Sequence, residues 1–190
     1  MKKKDGMGIN AKKPENKEGL TVKKSDFSEW YTQVIQKAEI VDLRLEIKGF
    51  IVIRPWGAMI MEKMYDFYEN ELQKRGHEPL IMPSVIPESN LKKESSHIKG
   101  FTPEVFWLNT ENGEDRLALR PTSETLFTPM FSYWIRSYND LPLKVYQRGS
   151  VFRFDTKATR PLIRGREFNW IEAHDAFATK EEAEAQVQED

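Results

Sequence analysis

The sequence predicts an α+β fold, an antiparallel β-sheet flanked by helices. Strand-like runs rich in Val, Phe and Trp gather in the second half, from Lys144 to Phe154 and from Glu167 to Phe177. Runs with apolar residues at helical spacing precede them, after Pro55 and after Glu124. With 190 residues, 39% hydrophobic and 12% aromatic, the chain is long enough to bury one core.

In order along the chain, Met1 to Lys24 holds eight lysines against three acids and almost no apolar side chain, which predicts a disordered basic arm over 1–24 and a folded unit over 25–190. Asp26 or Ser28 caps a first helix with Trp30, Val34, Ile35 and Ala38 on its apolar stripe. A short strand follows at Phe50 to Ile53. Pro55 then opens a longer helix, in which Met59, Ile60, Met64, Phe67, Tyr68 and Leu72 are expected to face the core, and Gly76 stops it. Leu80 to Met82 reads as a buried strand ended by Pro83. Pro87 or Ser89 begins a polar helix that Gly100 ends, and Val105 to Leu108 is the next strand. Asn112-Gly113 signals a hairpin into Arg116 to Leu119. After Glu124, Leu126, Met130, Phe131, Trp134 and Ile135 mark a buried helix, with Tyr133, Trp134 and Tyr138 assigned to packing. Thr179 caps a final alanine-rich helix.

The chemistry concentrates between Lys144 and Phe177. Side chains alternate faces along an extended chain, so Phe168, Trp170, Glu172 and His174 share one face of the last strand-like run, while Asn169, Ala173 and Asp175 share the other. Between the two runs lies a loop with Lys157, Arg160, Arg164 and Arg166, too long for a tight turn and suited to a polyanion. Upstream, the segment RPTSET brings Thr122 and Glu124 two residues apart. Composition also excludes several classes. Cysteine is absent, which removes disulfides and thiolate chemistry, and the three histidines His77, His97 and His174 are scattered, so no metal site is predicted. The formal charge of −1 supplies no global field toward nucleic acid or membrane, no apolar run is long enough to span a bilayer, and the reading is a soluble cytoplasmic protein.

These residues carry a family resemblance. Phe152, Arg153 and Asp155, followed by Arg164 and Phe168, resemble motif 2 of the class II aminoacyl-tRNA synthetases. Together with RPTSET, the TRPLIRGREF loop and the WIEAH row, the chain from about Phe27 onward resembles prolyl-tRNA synthetases of the archaeal and eukaryotic type. The helix, strand and proline succession up to Pro83 resembles motif 1, which implies a homodimer. Nothing after Phe177 resembles motif 3, so the catalytic core is expected to be incomplete and the chain to be a fragment.

The resemblance implies a proline-tRNA ligase that joins proline to ATP as prolyl-adenylate, releases pyrophosphate with the help of Mg2+, and passes proline to tRNA(Pro). It assigns Arg153 to catalysis, holding both the proline carboxylate and the α-phosphate. Thr122, Glu124 and Glu172 would receive the secondary ammonium, and Trp170 and His174 would wall the ring. Arg164 would meet the γ-phosphate, Phe168 would stack on adenine, and Asp155 would serve the adenine edge or the loop geometry. Phe101 and Glu104, in a segment FTPEV, would close over the pocket. The chain departs from the prolyl pattern at Asp155, where glutamate is usual, and at Ala158, where histidine is usual. A non-catalytic synthetase-like binding or regulatory module is the alternative, and it would have been free to lose Arg153, Glu124 or Glu172.

Overall fold

The computed structural model describes residues 19–95, 104–109, 115–154 and 158–190. His97, Gly100, Phe101, the Asn112-Gly113 turn, Asp155, Lys157 and most of the basic arm lie outside the described residues. The centre of the fold is a hairpin of two ten-residue strands, β7 (Leu143–Phe152) and β8 (Glu167–Ala176), paired antiparallel along their whole length from Leu143↔Ala176 to Phe152↔Glu167. Their alternating composition predicts this register: Val145 and Val151 of β7 are buried on the face that His174 and Phe168 share across the ladder.

Three shorter pieces complete the sheets. Strand β3 (Glu78–Pro79) joins β7 in parallel, giving the order β3-β7-β8. Strands β4 (Val85–Pro87), β5 (Trp107–Leu108) and β6 (Leu117–Leu119) form an antiparallel sheet of order β4-β6-β5. A ribbon of β1 (Val41–Asp42) and β2 (Val52–Ile53) stands apart. The expected strand at Leu80 to Met82 is displaced, because only Glu78 and Pro79 pair with β7. Leu80 still donates its N–H to Tyr146 O at 2.9 Å, but Ile81 is 91% exposed and the Met82 N–H goes to the Gln147 side chain instead of a strand.

Among the described residues five α-helices flank the sheets. Helix α1 (Phe27–Lys37) is capped by Asp26, whose side chain accepts from Glu29 N. Helix α2 (Pro55–Lys74) starts on its proline and ends before Gly76, whose φ of +86° is the left-handed conformation that a residue other than glycine adopts only with strain. Helix α3 (Glu88–Ser95) follows Pro87, and α4 (Glu124–Trp134) follows the buried Ser123. The final helix α5 (Lys180–Glu189) opens on a capping box between Thr179 and Glu182. Among the described residues no helix is long and apolar enough to cross a membrane.

The core lies on the α4 side of the hairpin. Ile86, Leu91, Val105 and Ala118 form one buried cluster, Met82, Phe127 and Val145 another, and Leu126 of α4 packs against both. Burial of such side chains contributes roughly 1.5–3 kcal/mol each, so α4 is the fastener between the two sheets. Expectations for α2 are overturned. Its apolar stripe faces outward, with Met59, Ile60, Met64, Phe67 and Tyr68 all exposed. Inward it turns Glu62, Tyr65, Glu69 and Gln73, which meet Arg148 and Tyr146 of β7: Arg148 Nη1 lies 2.9 Å from Glu62, and Gln73 donates to Tyr146 Oη at 2.7 Å. Tyr133, Trp134 and Tyr138 are likewise exposed, not packed. Below α2, the buried His77 ring contacts Asp175 at 3.0 Å and ties β3 to β8.

Candidate active site

The period-two register places Val145, Gln147, Gly149 and Val151 of β7 directly opposite His174, Glu172, Trp170 and Phe168 of β8. These eight residues line one face of the hairpin, and α4 covers one end of it. Phe127 of α4 is 1% exposed and stacks on His174, ring centroids 3.9 Å apart at 17°. Phe168 and Trp170 meet edge to face at 6.0 Å. The expected row of aromatic, carboxylate and imidazole is therefore present, with half-buried side chains in line along β8.

Arg153 follows β7 and folds back over that row. Its guanidinium carbon lies 5.5 Å from the Phe168 ring centroid and 5.4 Å from that of Trp170, and Nε donates to Pro121 O at 3.2 Å. That last contact unites the RPTSET segment with the hairpin. Planar guanidinium on aromatic faces is a seat that lysine does not reproduce, and it leaves donors for an anion. Thr122 donates from Oγ1 to Glu124, and between them Ser123 points inward to Gln147.

Glu172 is the best-held carboxylate of the site. Its Oε1 accepts from Gln147 Nε2 at 2.6 Å and its Oε2 from His174 Nε2 at 3.0 Å. Burial pushes its pKa up, but hydrogen bonds from His174, Ser123 and Gln147 outweigh that and hold it below the ordinary carboxylate value. Behind it Arg120, only 4% exposed, donates to Ser150 O, Met82 O and Gln147 Oε1 at 3.0–3.1 Å. Its guanidinium occupies the space where a Cβ at position 149 would stand, so any side chain there would displace Arg120. Burial lowers the Arg120 pKa, opposed by the Glu172 charge.

The remaining expected residues lie around the rim. Glu104 offers its backbone carbonyl to Phe154 N at 2.7 Å, which seats its segment against the end of β7, while its side chain is exposed. Arg164 closes a bridge with Arg160, with N–H···O distances of 2.8 and 2.9 Å in the two directions. This basic loop is braced from afar: Tyr31 Oη of α1 donates to Pro161 O at 2.9 Å, and Arg160 Nη1 to Ser28 O at 2.8 Å. Arg120, Ser123 and Gln147 were not among the predicted site residues. A signal existed for Gln147, which stands in phase with Val145 and Val151 where an apolar residue is the rule.

Comparison with known proteins now gives this geometry a context. The family described as the tRNA synthetase class II core domain (G, H, P, S and T) matches residues 106–189. Residues 106–189 thus match the core domain of the class II tRNA synthetases, and the chain has that core fold. Within that class the chain is similar to prolyl-tRNA synthetases. It is 60% identical over 179 residues to the proline-tRNA ligase of Thermofilum pendens, a match covering 92% of this chain and 37% of that protein. Against the Methanopyrus kandleri ligase it is 51% identical over 169 residues, covering 86% and 35%. The prolyl-tRNA synthetase of Giardia lamblia in complex with prolyl-adenylate superposes with a TM-score of 0.82 at 47% identity, over 87% of this chain and 34% of that one. That of Cryptosporidium parvum with L-proline and AMP gives 0.82 at 35% identity, over 90% and 34%. The chain thus spans little more than a third of the length of the relatives it matches.

Proposed function

We propose that the protein carrying this chain is a proline-tRNA ligase, activating proline with ATP in the cytoplasm and charging tRNA(Pro). The observation that carries this reading is the convergence of Arg153 with Trp170, Glu172 and His174 on one face of the hairpin, joined to the TSE segment through Pro121. A carboxylate oxygen of proline attacks the α-phosphorus of ATP, the new P–O bond forms, and the bond to pyrophosphate breaks. A ribose hydroxyl of the tRNA then attacks the activated carbonyl and AMP leaves.

In this reading Arg153 holds the two anions that must meet, by bidentate contacts to the carboxylate and the α-phosphate. Glu172, Glu124 and the Thr122 hydroxyl receive the ammonium, while Trp170 and His174 bound the ring. Arg164 serves the γ-phosphate and Phe168 the adenine face, with Asp155 at the adenine edge and Phe101 and Glu104 closing the pocket. Catalysis is positioning and charge stabilisation, with little proton transfer. The two carboxylates of the pocket are already engaged, Glu172 by Gln147 and His174, and Glu124 by Thr122. The ion expected from the family enters as a companion of the nucleotide phosphates.

The outward apolar face of α2 supports a homodimer in which a second copy covers Met59, Met64 and Phe67. Proline-dependent exchange of labelled pyrophosphate into ATP, measured on the full-length protein and on this chain, tests the ligase. Exchange that prefers proline over alanine and cysteine is expected from the full-length protein. Its absence there, in a folded protein, overturns the ligase in favour of a binding module.

A further inference from the structure

Resting on the proline pocket proposed above, we infer that Gln147, seated by Arg120, is a positioning residue that aims the Glu172 carboxylate at a cationic amine and so selects amino acids whose amine carries a proton. Its side-chain amide is 2% exposed and uses its full hydrogen-bonding capacity. The two N–H groups go to Glu172 Oε1 and Ser123 Oγ, each at 2.6 Å. The carbonyl accepts from Met82 N and from Arg120 Nη1, each at 3.1 Å. Those two donors fix the amide's sense. Turned over, its N–H groups would face Met82 N–H and the Arg120 guanidinium, and its oxygen would face the Glu172 carboxylate.

The choice of glutamine follows from charge. A carboxylate at 147 would repel Glu172. A lysine or arginine would neutralise Glu172, and a ligand ammonium would find its partner already taken. A neutral donor orients the carboxylate and leaves its charge for the ligand. A carboxylate has about four acceptor sites, so the bonds from Gln147 and His174 leave Glu172 room for an incoming N–H. Arg120 directs three of its five N–H donors to Ser150 O, Met82 O and the Gln147 carbonyl, and it acts on Glu172 through its charge.

The test is Gln147→Glu in the full-length protein, which keeps the shape, removes the N–H groups and adds a carboxylate facing Glu172, with Ser123→Ala as a milder second variant that changes no charge. Pyrophosphate exchange is read against proline, ATP and pH. In Gln147→Glu the KM for proline is expected to rise about tenfold or more, the loss of one hydrogen bond to a charged group, while the KM for ATP changes less than about twofold. The acid limb of kcat/KM for proline moves to higher pH, because Glu172 then loses its proton less readily. Ser123→Ala moves both quantities the same way by less, and it carries the test if Gln147→Glu lacks a cooperative melt. Equal loss in both KM values with an unmoved acid limb, or no change at all, overturns the inference. If the unsubstituted protein shows no proline-dependent exchange, the ligase reading fails separately. Carbon-13 NMR titration of Glu172 with and without Gln147→Glu still decides the positioning role: a higher titration midpoint in the variant upholds it, and an unchanged midpoint sinks it.

Discussion

Helices α2 and α4 flank opposite faces of the same hairpin and bury themselves in opposite ways. Helix α4 presses Leu126, Phe127 and Met130 into the core. Helix α2 has an equally apolar stripe but turns it to solvent, and meets the sheet through Glu62, Tyr65, Glu69 and Gln73. The difference teaches that helical periodicity identifies a helix without saying which face is inward. That is decided by the opposing strand: β7 offers Val145 to α4, and Tyr146 with Arg148 to α2.

The sharpest way to break the comparison is at Phe127. Phe127→Ala removes a ring that is 1% exposed and stacked on His174, and is expected to cost about 3–5 kcal/mol in chemical denaturation. A loss below about 1 kcal/mol would mean that α4 is not the fastener. A smaller effect sits on β8, the strand that carries His174 under Phe127. Glu172 titrates below its usual value of 4.5 in the fold, so its contribution is full above the unfolded value and fades as pH falls through the lower folded one. Urea midpoints at about pH 7 and pH 3 are expected to fall further for the unsubstituted protein than for Glu172→Gln. Equal falls would remove Glu172 as a source of acid sensitivity. The smallest effect is on α2: Phe67→Asp, at a position 65% exposed, is expected to change unfolding free energy by less than about 0.5 kcal/mol while weakening self-association in sedimentation. Unchanged association would detach the α2 face from dimer formation.

The parts legible in the sequence are those whose partners are local or whose period is long. Ten residues of alternation locate β7 and β8 and line up Phe168, Trp170, Glu172 and His174 from the sequence alone. The caps Asp26 and Thr179 mark α1 and α5 in the same way. Strands β3 and β4 escape because two or three paired residues leave no period to read. The face of α2 escapes because Arg148, the partner that reverses it, lies 86 residues beyond Glu62. Gln147 escapes for a related reason. One polar residue on an otherwise apolar strand face acquires meaning only when Ser123, Met82 and Arg120 arrive around it.

The brace between α1 and the basic loop bears on the order in which the chain is made. Tyr31 and Pro161 stand 130 positions apart. A ribosome adding about 5–20 residues per second completes α1 on the order of ten seconds before the loop that it supports exists. A helix of 11 residues is marginal alone, so through that interval α1 leans on nearby partners such as β1 and Thr21. The loop is thus fastened late, to a part of the chain made well before it. An early lesion near Ser28 or Tyr31 would be felt at Arg160 and Arg164, residues not yet synthesised when the damage was done.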